Sequence, residues 1–125
     1  MHSRNLSVFL SIFVFAAAFL LTQSVMAVEP GPVTPEEGKT LIQQNKNLVI
    51  LDVRNPNEYV VANYPNALNI PVNELETRLA EVPAGRSVLV HCVMGMRAAR
   101  GYEILKEKRP DIKELYYIKG NVIFH

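Results

Sequence analysis

The sequence predicts an α/β fold in three layers, a central and mostly parallel sheet flanked by helices. Unbroken apolar runs of strand length, helical patterns set between them, and turn residues at the junctions carry that expectation. "LVILDV" (48–53) and "SVLVHC" (87–92) are continuous runs rich in β-branched residues. Such runs read as strands covered on both faces, the habit of parallel sheets. "ALNI" (67–70), stopped by Pro71, and "ELYYI" (114–118) supply two more strands. Thr34-Pro35-Glu36-Glu37 combines a cap, a proline at the first helical position and a capping-box glutamate. It opens a helix to about Gln44 with Leu41 and Ile42 turned inward. "NPNE" (55–58) turns the chain into a short helix through Val61. Asn73 with Glu76 caps a further helix to about Ala80, broken by Pro83 and Gly85. Arg97 to Arg109 is the last helix, with Ala98, Tyr102 and Leu105 on one face and Pro110 as its stop. Strands alternating with helices indicate parallel pairing.

At 125 residues, 49% of them hydrophobic, the chain holds one domain. That percentage averages two unlike segments. Residues 1–27 contain Arg4 as their only charged side chain, and "LSVFLSIFVFAAAFLL" (6–21) is broken by only two serines. A basic start, an apolar stretch and a small residue at Ala27 have the layout of a secretory signal. Sixteen residues fall short of the roughly 20 that span a bilayer comfortably. The expectation is therefore a cleaved signal over 1–27, a linker over 28–33 and a domain over 34–125. This places the mature protein in a bacterial periplasm or outside the cell, with no stable membrane span once the signal is removed. An uncleaved N-terminal anchor is the alternative. The remaining chain has equal numbers of basic and acidic residues, which gives no footprint for nucleic acid. One cysteine excludes a disulfide-stapled miniprotein.

That cysteine carries the chemistry. In open parallel sheets ligands bind beyond the carboxyl ends of the strands, and Cys92 ends a buried strand just before a helix. The loop Cys92-Val93-Met94-Gly95-Met96-Arg97 can curl so that its N–H groups converge above the sulfur, closed by the helix N-terminus. Gly95 permits a backbone angle closed to other residues, and Arg97 adds a planar cationic fork. Both features favour an anionic sulfur and an anion beside it, the design of an activated nucleophile. The competing reading of Cys92 is a small buried hydrophobe.

With "LDVRNPNEY" and "YPNALNIP" before it, "HCVMGMRAA" resembles the single-domain rhodanese (sulfurtransferase) family. The matching elements are Asp52-Val53-Arg54, Glu58-Tyr59, Ala67-Leu68-Asn69-Ile70-Pro71 and the Cys-x-x-Gly-x-Arg loop, spread over residues 34 to about 120. The resemblance implies transfer of a sulfane sulfur through a persulfide on Cys92. The donor is thiosulfate, polysulfide or another persulfide, and the acceptor is thiophilic: cyanide in an assay, or a thiol, including a protein thiol. The amides of residues 93–97 and the Arg97 side chain would hold the outer sulfur, without metal or organic cofactor. The family's Gly-His-Ile-Pro-Gly-Ala reads Ala62-Asn63-Tyr64-Pro65-Asn66-Ala67 here. Its Gly-Gly pair reads Gly120-Asn121, and its terminal helix is missing or replaced. The loop has no positive charge beyond Arg97, so a less charged or thiol-bound donor suits it at least as well as thiosulfate.

A non-catalytic sulfur carrier or rhodanese-like binding module is the first alternative. A Cys-dependent phosphatase or arsenate reductase is the second, although such loops place five residues between Cys and Arg and this one places four. Asp52 and Arg54 read as a buried ion pair tying the first strand to the active loop, and Glu58 as a turn or helix-start partner. Arg100 stands either at the pocket entrance or on a solvated helix face. Alternation turns His91 to the side opposite Cys92, in a packing role. The three histidines lack metal-ligand spacing. Met94 and Met96 read as apolar lining, with soft-metal ligation beside the thiolate as a lesser alternative.

Overall fold

The computed structural model describes residues 27–124. The signal expected over 1–27 therefore lies, except for Ala27, outside the described residues. Five strands form one sheet: β1 (Gly31–Val33), β2 (Val49–Asp52), β3 (Leu68–Asn69), β4 (Val88–His91) and β5 (Leu115–Ile118). Their spatial order is β1-β5-β4-β2-β3, and every neighbouring pair is parallel. Among the described residues three α-helices accompany them, α1 (Pro35–Gln44), α2 (Pro56–Tyr59) and α3 (Met96–Lys108).

The unbroken apolar runs do what continuous runs in parallel sheets require. Val49, Leu51 and Val53 of the β2 segment join Val88, Val90 and Cys92 in a core shared with Ala98, Ile104 and Leu105 of α3. Ile50 and Leu89 point the other way, into a second core with Val33, Leu41, Tyr116 and Ile118. Two cores on two faces make the three layers. The capping box of α1 is formed, Glu37 N–H donating to Thr34 Oγ1 and Thr34 N–H to Glu37 Oε2, both at 3.1 Å.

Three expectations need correction. Part of the linker expected over 28–33 is strand: Gly31–Val33 pairs with Tyr116–Ile118, and Val33 is buried. A glycine and a proline hide a strand whose partners are supplied from far along the chain. The helix expected from Asn73 is instead two 3-10 turns, Leu75–Thr77 and Leu79–Glu81. Thr77 takes up the Glu74 carbonyl with both its N–H and its hydroxyl, a local bond that competes with helical pairing. On α3 the buried side is Ala98, Gly101, Ile104 and Leu105, while Tyr102 is half-buried. Gly101 lets the helix approach Val90, since a Cβ there would stand 3.2 Å from Val90 Cγ1.

The chain after β5 runs without helix through residues 119–124. It is fastened by Tyr64, whose hydroxyl donates to the Ile123 carbonyl, and by Phe124 against the Tyr64 ring. Among the described residues no helix is long and apolar enough to cross a membrane.

Candidate active site

The strand order locates the site. From β2 the chain crosses to β3 on one side, and from β4 to β5 on the other. The crevice beyond the carboxyl ends of β2 and β4 is therefore the topological switch point of the sheet. Asp52 and His91 are register partners there, and Cys92 follows directly.

Cys92 is 2% exposed, with its sulfur enclosed by its own loop. Gly95 N–H donates to Cys92 Sγ at 3.1 Å and Ala98 N–H at 3.3 Å. Gly95 is the N-cap of α3, a residue with no side chain to cap with, and Ala98 is the third helical position. The sulfur thus takes the place of the usual Ser, Thr or Asp oxygen, satisfying an N–H that the helix cannot pair internally. Two donors and the positive end of a 13-residue helix stabilise negative charge on sulfur. The loop can reach this shape because Gly95 adopts φ +102. A Cβ there would meet the backbone of Gly120, Ile118 and Lys119, so β5 and its following turn form the back wall. The sequence places Ala98 on the packed face of the helix and Gly120 in the altered Gly-Gly pair, and gives neither a role at the sulfur. The absence of a polar cap at Gly95 was the available signal for the first.

Arg97 and Glu58 are brought together. Arg97 donates through Nη1 to Glu58 Oε2 at 2.8 Å and through Nη2 to Oε1 at 3.0 Å, a two-point bridge between α3 and α2. Glu58 also caps α2, accepting from Asn55 N–H at 2.9 Å. The Arg97 hydrogen bonds, then that backbone bond, hold the Glu58 carboxyl down at about 2. Val93, Met94 and Met96, in the same loop, are all exposed to solvent.

Asp52 and Arg54 form the expected buried ion pair, with Arg54 Nη2 2.7 Å from Asp52 Oδ2. It does not tie β2 to the active loop. Arg54 instead donates to the Ala62 carbonyl at 2.6 Å and lies over the Phe124 ring, 5.0 Å from its centroid. Asn69 Nδ2 completes this corner, donating to the carbonyls of Asp52 and Arg54. Arg100 is exposed on the outer face of α3, beside Glu103, Ile104 and Glu107, with no bond to the loop. Among the described residues no three His, Cys, Asp or Glu side chains gather as a metal site.

His91 faces away from Cys92, fully buried edge-on to Tyr64 and Phe124. Among the described residues neither ring nitrogen has a hydrogen-bond partner, and Nε2 stands 3.7 Å from Asp52 Oδ2. Burial pushes His91 down to about 4, with Asp52 opposing and Arg54 assisting. The unfolded chain titrates near 6.5, so it takes up a proton that the native state refuses. The His91 contribution is complete above pH 6.5 and is lost as pH falls toward 4, about 3 kcal/mol in all. Urea midpoints measured from pH 7 to 4 should show this decline, and His91→Phe should flatten it. The Glu58 contribution is spent in a separate window, from 4.5 down to about 2.

Comparison with known proteins decides the affiliation. Residues 34–121 match the family model described as a rhodanese-like domain. The chain belongs to the rhodanese-like domain family. The tRNA uridine(34) hydroxylase of Buchnera aphidicola is 30% identical over 86 residues, covering 64% of this chain and 27% of that protein. A sulfurtransferase of Allochromatium vinosum is 25% identical over 67 residues, covering 54% of this chain and 63% of its own length. Both relatives thus extend well beyond the matched portion. The human single-domain sulfurtransferase TSTD1 shares the fold, with TM-score 0.58 and 23% identity, covering 72% of this chain and 89% of that one. One departure from the rhodanese-like pattern has a local explanation. Asn66, standing where that pattern has its second glycine, adopts φ +63, a conformation Asn tolerates better than most residues.

Proposed function

We propose that this rhodanese-like domain is a sulfurtransferase that carries a sulfane sulfur as a persulfide on Cys92. The observation that supports it most directly is the placement of Sγ at the switch point with two N–H groups donating to it. With thiosulfate as donor, the Cys92 thiolate attacks the outer sulfur. The S–S bond of the donor breaks, and sulfite leaves with the electron pair. A thiophilic acceptor then attacks the carried sulfur, and the Cys92 thiolate departs into the same donors. The first-turn N–H groups of Met96 and Arg97, which an α-helix leaves without internal partners, are further donors available to the outer sulfur. Relatives named sulfurtransferases agree with this reading.

Intact mass is the direct test. After treatment with thiosulfate or polysulfide the protein should gain one sulfur atom, released by a reductant or by cyanide. No gain from either donor or from a small-molecule persulfide would overturn the proposal. Phosphate-ester hydrolysis dependent on Cys92 would favour the phosphatase reading.

We also propose that residues 1–27 direct export. The exported protein should begin at Val28, and a retained Met1 would mean an anchor.

A further inference from the structure

Five large hydrophobic side chains are exposed among the described residues: Val60 (74%), Val61 (84%), Val93 (44%), Met94 (74%) and Met96 (85%). Scattered apolar residues on a surface need no explanation, but a group gathered at one site does. Three of these belong to the loop around Cys92. The other two follow Glu58, and Glu58 is bonded at 2.8 Å to Arg97, the residue after Met96. The bridge therefore ties the segment that follows Glu58 to the start of α3, beside the loop that holds the reactive sulfur. Its charge matters as much as its position. The cation of the loop is engaged at both ends of its fork by a carboxylate, so the bridge presents a paired rather than a net positive charge. Lys119 lies behind Gly95, its Cα 3.3 Å from where a Cβ on that glycine would stand. An inorganic dianion gains little from such a mouth. A thiol with aliphatic neighbours gains burial on both segments.

We propose that the sulfur acceptor is a polypeptide cysteine flanked by uncharged aliphatic residues, seated on the rim of Val60, Val61, Val93, Met94 and Met96 with its sulfur directed at Cys92. The proposal rests on the persulfide reading above. The five exposed side chains sit on two segments of separate elements, and a peptide chain can contact both at once, which favours a polypeptide. In the transfer step the acceptor thiolate attacks the outer sulfur of the Cys92 persulfide. A new S–S bond forms on the acceptor as the bond to Sγ breaks, and its electron pair stays on Sγ as thiolate. The proton of the persulfide remains with the transferred sulfur, and no outside oxidant or reductant is needed.

The test begins with protein loaded by inorganic polysulfide and checked by intact mass. Transfer is then timed to cyanide, to glutathione, and to two equal-length cysteine peptides, one flanked by Leu and Val and the other by Glu. The aliphatic peptide should react with a kcat/KM about tenfold or more above the acidic one and above glutathione. Val60→Ser with Val61→Ser, remote from the sulfur donors, should lower the aliphatic-peptide rate about tenfold and leave the cyanide rate unchanged. Equal rates for the peptides, or a double variant that slows cyanide and peptide alike, would overturn the rim proposal. So would a wild-type dimer in sedimentation that the double variant dissolves, since the rim would then belong to a second copy. Failure to load sulfur is a separate result and counts against the persulfide reading itself.

Discussion

Cys92→Ser should lose sulfur transfer by at least about 10³-fold while keeping its fold. The hydroxyl can neither hold a sulfane sulfur nor leave as a stable anion at neutral pH. It can still accept from Gly95 and Ala98, whose N–H groups stand 3.1 and 3.3 Å from the present sulfur. Serine is a preferred helix cap, so the thermal midpoint should stay within a few degrees of wild type. Both quantities are measurable on one preparation, by cyanide-dependent thiocyanate formation and by thermal melting. Substantial remaining transfer would remove Cys92 from its assigned role. A collapsed midpoint would instead show that the sulfur is needed for packing in its apolar core.

Gly95→Ala should damage both the fold and the chemistry, and for one reason. At φ +102 a side chain is strained by about 1–2 kcal/mol. The added Cβ would also stand 2.9 Å from Gly120 N, 3.2 Å from Ile118 O and 3.3 Å from Lys119 Cα. All three are backbone atoms, which cannot swing aside, and overpacking of this kind costs about 1–3 kcal/mol more. Relief comes only by moving the loop, and movement takes the Gly95 N–H away from Sγ. Loss of one such donor typically costs on the order of 10²-fold in kcat. Urea unfolding and kcat with thiosulfate or polysulfide check the two effects separately. A Gly95→Ala variant with wild-type kcat would show that the loop donors do not contribute to the reaction.

Legibility from sequence differed sharply between parts of the molecule. β2 and β4 were visible because parallel central strands bury both faces, and Val49 to Asp52 and Val88 to His91 are buried throughout. The cap of α1 was visible because both of its hydrogen bonds lie within four residues. β1 was not, because Gly31 and Pro32 carry no strand signal and its pairing is with residues 116–118. The 3-10 turns were missed because a threonine hydroxyl outcompeted a helical bond at Glu74. At the site, Cys92, Gly95 and Arg97 could be read from a six-residue pattern. The partner of Arg97 could not, since Glu58 lies 39 residues earlier and meets it only through the crossover geometry. The packing of Phe124 on His91 and Arg54 is equally a product of the fold. What was legible is local; what was missed depends on where distant segments come to rest.

The sulfur cap on α3 has a consequence for how the protein registers its own state. In most proteins the atom that closes a helix is inert, and the atom that reacts lies elsewhere. Here one atom has both duties. Whatever attaches to Sγ competes for the lone pairs that hold Gly95 and Ala98 N–H in place. A group that leaves as fast as it came disturbs the helix start only in passing. One that stays, such as an alkyl adduct or a higher oxide, leaves those donors to find new partners. The order of the helix start then depends on whether the sulfur is free.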